Sequence, residues 1–113
     1  MSMNSVAFKG VYKVTLPNVK EAKDEKEKAA YTEAVMNTVV MGANASVAEP
    51  KFDKDSSSVY FKINDKNDAK FEKGFSTILN ECNKKFNVDM VKKAYIQKVS
   101  EEEYNKLPSD LQQ

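Results

Sequence analysis

Period-two alternation opens the chain. Across 6–16, Val6, Phe8, Tyr12, Val14 and Leu16 fall on one side of an extended backbone, and Lys9, Val11, Lys13 and Thr15 fall on the other. Gly10 interrupts the apolar side and predicts a bulge or bend. Pro17 ends the ladder. Asn18-Val19-Lys20-Glu21 then sets a capping side chain three residues ahead of a glutamate, so a helix is expected to start there. Its first stretch, 20–28, is nearly all charged and reads as a solvated end. Ala30, Tyr31, Ala34, Val35, Thr38 and Val39 supply one apolar side, and Gly42 followed by Asn44 predicts the stop.

Two short strands are expected at 47–52 and 59–63, joined by the polar turn Asp53-Lys54-Asp55-Ser56-Ser57-Ser58. Residues 64–68 offer several caps for a second helix. Its apolar positions, Phe71, Phe75, Ile78, Leu79, Cys82 and Phe86, form the strongest helical period in the chain, and Lys84 and Lys85 sit where the helix dipole favours cations. A last strand is expected over 88–99. Ser100-Glu101-Glu102-Glu103 opens a short helix that Pro108 ends.

The order strand, helix, strand, strand, helix, strand is a βαββαβ pattern, which predicts an α+β fold. Right-handed crossovers give a four-stranded antiparallel sheet with two helices on one face and a short C-terminal helix. Over 6–99 the pattern resembles the ferredoxin-like split βαβ architecture, a fold that hosts many unrelated functions. One domain is expected over 1–113, with its core in 6–99, the short helix in 100–107 and a tail at 108–113.

Composition removes several function classes. Of 113 residues, 41% are hydrophobic and 31% charged, which suits a globular chain rather than a disordered one. The 18 basic residues, all lysine, balance 17 acidic ones to a net charge of +1, so no bulk field draws the chain to nucleic acid or to an anionic membrane. Without arginine there is no planar fork to read guanine edges, and sequence-specific duplex recognition is not expected. The longest uncharged run, 34–48, is too short and too polar to span a bilayer. The first residues show no secretory signal, so Asn44-Ala45-Ser46 is read as a chance match to the glycosylation pattern. A cytoplasmic location is expected. Cys82 stands alone, so no intrachain disulfide can form.

Candidate chemistry is sparse. Histidine is absent, which removes the usual general base and most zinc or iron sites. Cys82 lies on the apolar side of the second helix, where a thiol is inert. The loop beginning at Asp53 starts like a calcium loop but has Ser58 and Asn64 where glycine and a bidentate glutamate belong; the loop at Asp65 departs further, with Lys70 and Ser76. Both are read as turns and caps. Gly74, in Lys73-Gly74-Phe75-Ser76, is expected to allow close helix-to-sheet packing. The architecture also invites comparison with acylphosphatases, whose phosphate site relies on an arginine that this chain lacks. No cofactor, metal or catalytic residue is expected.

The sheet face away from the helices carries the functional expectation. With Val59, Phe61 and Ile63 inward, Tyr60 and Lys62 point outward, joined by Lys13 on the first strand and by Lys93 and Tyr95 on the last. Lys13, Tyr60, Lys62, Lys93 and Tyr95 are the candidate binding residues. An open face carrying aromatics is a natural surface for burial against a second copy or another protein. The chain is therefore expected to be a small non-enzymatic module acting by protein contact, as a homodimer or as a regulator or inhibitor of a larger partner. An alternative is binding of single-stranded nucleic acid, since aromatics interleaved with lysines resemble the sheet of RNA-recognition-motif proteins; 56–63 lacks that family's glycines and leading basic residue. A small enzyme using carboxylate or tyrosine acid-base chemistry is the third possibility.

Overall fold

Strand β1, Phe8–Thr15, occupies an inner position of the sheet and pairs on both sides: with β3, Ser58–Asn64, and with β4, Tyr95–Val99. A short edge strand β2, Lys51–Asp53, pairs with β3 and completes an open four-stranded sheet in the order β2-β3-β1-β4, antiparallel throughout. Helix α1, Glu25–Ala45, links β1 to β2; α2, Asp68–Phe86, links β3 to β4; and α3, Glu101–Asn105, follows β4. The computed structural model describes residues 8–64 and 66–107. Val6, Asp65, Pro108 and the tail 108–113 lie outside the described residues, as does any limit they set on an element.

The expected bulge falls where Gly10 stands. Between Phe8 and Val11 three steps of β1 oppose two of β3, from Asn64 to Lys62, and from Tyr12 onward the pairing is regular. Tyr12, Val14, Val59, Phe61 and Ile63 then face α1 and α2 and form the main core with Phe71, Phe75 and Ala94. The Phe71 ring meets Phe61 edge-on at 5.6 Å and Tyr12 at 5.2 Å. A second cluster, Ala30, Tyr31, Ala34, Cys82 and Met90, joins one end of α1 to α2. Cys82 is buried there, as its helical position implied, and burial pushes its thiol pKa up.

Several boundaries move for local reasons. Asn18 caps only a 3-10 turn at Val19–Glu21, accepting from the Lys20 amide at 2.9 Å. The α-helix starts later, because Asp24 accepts from the Glu27 amide at 2.8 Å while Glu27 reaches back to the Lys23 amide at 2.9 Å. Gly42 does not stop α1. It is buried inside the helix, where a Cβ would meet the Phe61 ring at 2.3 Å, so its bareness lets helix and sheet touch. Gly74 faces Met41 of α1, not the sheet.

The second strand is shorter than expected because Pro50 has no N–H to give the ladder. Before it, the backbone of 46–47 makes a bridge from Ser46 to Ile63 and a bond from the Val47 amide to the Lys62 carbonyl at 2.8 Å, and the Ser46 hydroxyl donates to that same carbonyl at 3.3 Å. The last strand also starts late. Asn83 Oδ1 accepts from the Met90 amide at 3.0 Å, and the Met90 carbonyl takes the amides of Lys93 and Ala94, which winds 90–94 into a turn around the buried Met90 side chain.

Candidate functional site

The alternation of β3 sends Tyr60 and Lys62 to the face opposite α1 and α2. Register adds Val11 and Lys13 from β1, Lys51 from β2, and Tyr95, Gln97 and Val99 from β4. One end of that face is not open. Helix α3 turns back across it, and Tyr60 keeps only 3% of its surface exposed. Val11, Tyr60 and Tyr104 form a third apolar cluster, with Val99 and Leu107 against it. The expectation of an exposed Tyr60 is therefore corrected. The side chain points where its alternation predicts, but a later segment covers it.

Ser100 starts α3 by accepting from the Glu103 amide at 3.2 Å, and Tyr104 is the one buried residue of the helix. The phenol of Tyr104 donates to the Glu49 carbonyl at 2.6 Å, and its own carbonyl accepts from Lys51 Nζ at 3.2 Å. The ring lies beneath two cations, Lys51 at 4.3 Å and Lys62 at 5.2 Å from its centroid. Lys62 also pairs with Glu101 at 2.8 Å, and the Tyr60 hydroxyl donates to Glu103 Oε2 at 3.1 Å. Burial, reinforced by Glu103, pushes the Tyr60 pKa up to about 12. Burial also raises that of Tyr104, against the opposing pull of Lys62.

The five sequence-predicted residues are thus divided. Tyr60 and Lys62 lie under or against α3. Beyond it Lys13 is half-buried, its Nζ 5.7 Å from the Tyr60 ring centroid, while Tyr95 is 49% exposed beside Gln97. Lys93 is not on the strand at all. It belongs to the turn before β4 and lies over the Tyr31 ring at 5.8 Å. Lys93 and Tyr95 still come together at the rim, where they line a polar cleft of about 260 Å³ with Thr15, Asn18 and Ser57.

Sequence reasoning missed two features. On the helix side the Tyr12 hydroxyl donates to Asp68 and lies 2.6 Å from Glu72 Oε2, while Lys98 pairs with Asp68 at 3.1 Å. Burial and the two carboxylates drive the Tyr12 pKa well above the usual phenol range, and the phenol donor holds the Asp68 carboxyl below its own. The signal was present: Asp68 and Glu72 stand one turn apart at the start of α2, and Lys98 stands opposite Tyr12 in register. The second feature is the outward side of α1, where Met36 and Val40 are 61% and 60% exposed. They fall in the uncharged run 34–48 but off the arc that faces the core.

Among the described residues no group of three or more His, Cys, Asp or Glu side chains is placed to hold a metal, and no helix is long and apolar enough to cross a membrane. Asp53 instead accepts from the Asp55 amide and the Ser56 hydroxyl at 3.1 and 2.9 Å, the work of a turn. No protein-family model matches the chain, and no curated protein or solved structure does either.

Proposed function

We propose that the protein is a ferredoxin-like split βαβ module that works by protein contact through the sheet face opposite its long helices, without catalysis. The strand order supports the fold assignment: α1 joins strands separated by β3, and α2 joins strands separated by β1, as in two interlocked βαβ units. The observation that carries the contact reading is α3. This face already holds a helical segment by a buried tyrosine, two lysines and a tyrosine hydroxyl, the kind of anchor and rim found where proteins meet. Beyond α3 the half-exposed Tyr95, with Lys13 and Gln97, continues the same surface and is the part left for association.

Single-strand binding is less well supported. Glu101 and Glu103 sit on the face, and Lys62 and Lys51 are engaged by α3, so a polyanion would meet carboxylates where it needs cations. The test is native mass by light scattering over a range of protein concentrations, at low and moderate salt. Wild type is expected to dimerise; Tyr95→Ala and Lys13→Glu are expected to weaken association at least about tenfold with unchanged circular dichroism. A dimer that survives both changes but is lost in Val40→Lys would move the contact to α1 and refute the sheet-face reading.

A further inference from the structure

Resting on the contact function proposed above, we infer that the end of the sheet face beneath α3 is a recognition groove for an acidic, aromatic-bearing helical segment of another protein. Residues 100–107 of this chain hold the groove closed. A five-residue helix does not persist alone in water, so α3 is helical because the face gives it a seat. That seat has a defined chemistry. Its floor is apolar, made by Val11, Tyr60 and Val99, and receives one ring, Tyr104. Lys51 lies over that ring and holds the carbonyl of the same residue. Lys62 takes the carboxylate three positions before the ring, Glu101, and the Tyr60 hydroxyl takes the one immediately before it, Glu103.

Covering an apolar face needs none of this; any aliphatic segment would do it. Here the two lysines and the phenol each meet a group of the opposite type, which is how a surface selects a sequence. The pattern selected is acid, any residue, acid, aromatic. The closure is also built to come away. Only one side chain of α3 is buried, and Ser100 follows directly on the last paired residue, Val99, so lifting the helix breaks no ladder pair. A partner with the same pattern and a longer apolar flank would replace α3 group for group.

A tethered segment competes at high effective concentration, so weakening it from within should raise the affinity for a free one. The probe is a fluorescein-labelled peptide with the sequence of residues 100–107, Ser-Glu-Glu-Glu-Tyr-Asn-Lys-Leu, titrated by anisotropy into the full chain. Full-length Tyr104→Ser is expected to bind it at least about tenfold more tightly than wild type, and increasingly weakly as salt rises. Adding Lys62→Glu, or replacing the peptide tyrosine by serine, should abolish that binding. No binding by Tyr104→Ser that retains native circular dichroism would overturn the inference.

If that variant does not fold, amide NMR of wild type titrated with the same peptide decides: shifts at Val11, Tyr60 and Lys62 support the groove, and their absence at millimolar peptide overturns it. Peptide binding lost with Tyr95→Ala but indifferent to Lys62→Glu would leave the contact function standing and overturn the groove. Peptide binding that follows Lys62, in a chain whose association ignores Tyr95, would do the reverse. A dimer made by exchange of α3 between copies, and lost in Tyr104→Ser, would overturn the assignment of a foreign partner.

Discussion

Gly42 and Gly74 each lie inside a helix, yet the same methyl group added to them should have opposite effects. At Gly42 it would meet the Phe61 ring at 2.3 Å, and that ring is fully buried against Phe71 and cannot retreat. At Gly74 it would meet the Met41 sulfur at 2.5 Å, the movable part of a half-buried, flexible side chain. Alanine gains about 1 kcal/mol of helix propensity over glycine at either site. Denaturant melts should therefore show Gly42→Ala destabilised by about 1–3 kcal/mol and Gly74→Ala unchanged or slightly stabilised. Sequence alone does not say what approaches either glycine, which is why Gly42 reads as a helix stop and Gly74 as a sheet contact. Thr38 gives a second residue-scale expectation. Its Oγ1 is buried without a hydrogen-bond partner. Exchanging that hydroxyl for a methyl in Thr38→Val should stabilise the fold by about 1 kcal/mol in the same melts, and a loss of stability would show that the hydroxyl is satisfied in solution.

Among the elements, α3 is the one whose order depends on a single side chain. Removing the Tyr104 ring leaves a five-residue helix with capping and surface charge but no buried anchor. Tyr104→Ala should cost about 2–3 kcal/mol and release α3 alone. Hydrogen exchange should show the amides of 103–107 losing protection while β1, β3 and the long helices keep theirs; protection lost throughout would mean that α3 is integral to the fold. The helix itself was legible, since Ser100 and Glu103 are spaced as a cap. Its seat was not, because nothing in the local pattern around Tyr60 reports that a segment beyond β4 will cover it. Local competition likewise shifted the start of α1. Asn18 and Asp24 are both good caps, but only Asp24 has a glutamate whose side chain returns to the preceding turn. The outward phase of Tyr60, Lys62, Lys13 and Tyr95 was correct because alternation is a property of the strand itself, whereas exposure is a property of everything packed upon it.

For the whole molecule, the buried phenols set an alkaline limit. Tyr60 holds its proton up to about 12 and Tyr12 and Tyr104 are shifted in the same direction, while an unfolded tyrosine titrates near 10. The folded chain therefore retains these protons more tightly, and the stability that Tyr60 gives is complete below about pH 10 and is lost as pH rises through about 12. For Tyr60 the amount is roughly 2 to 3 kcal/mol. Denaturant midpoints should be level to about pH 9.5 and then fall; midpoints that stay level through about pH 12 would place these phenols in water. The position of β1 has a consequence of another kind. Its two neighbours are β3 and β4, so the first strand of the described fold is bonded on one edge by 58–64 and on the other by 95–99. During synthesis β1 emerges long before either partner, and its second edge stays unsatisfied until β4 has left the ribosome. Completion of the sheet thus waits for the synthesis of 95–99, and a nascent chain stalled within α2 would carry a bare edge able to recruit another unfinished copy.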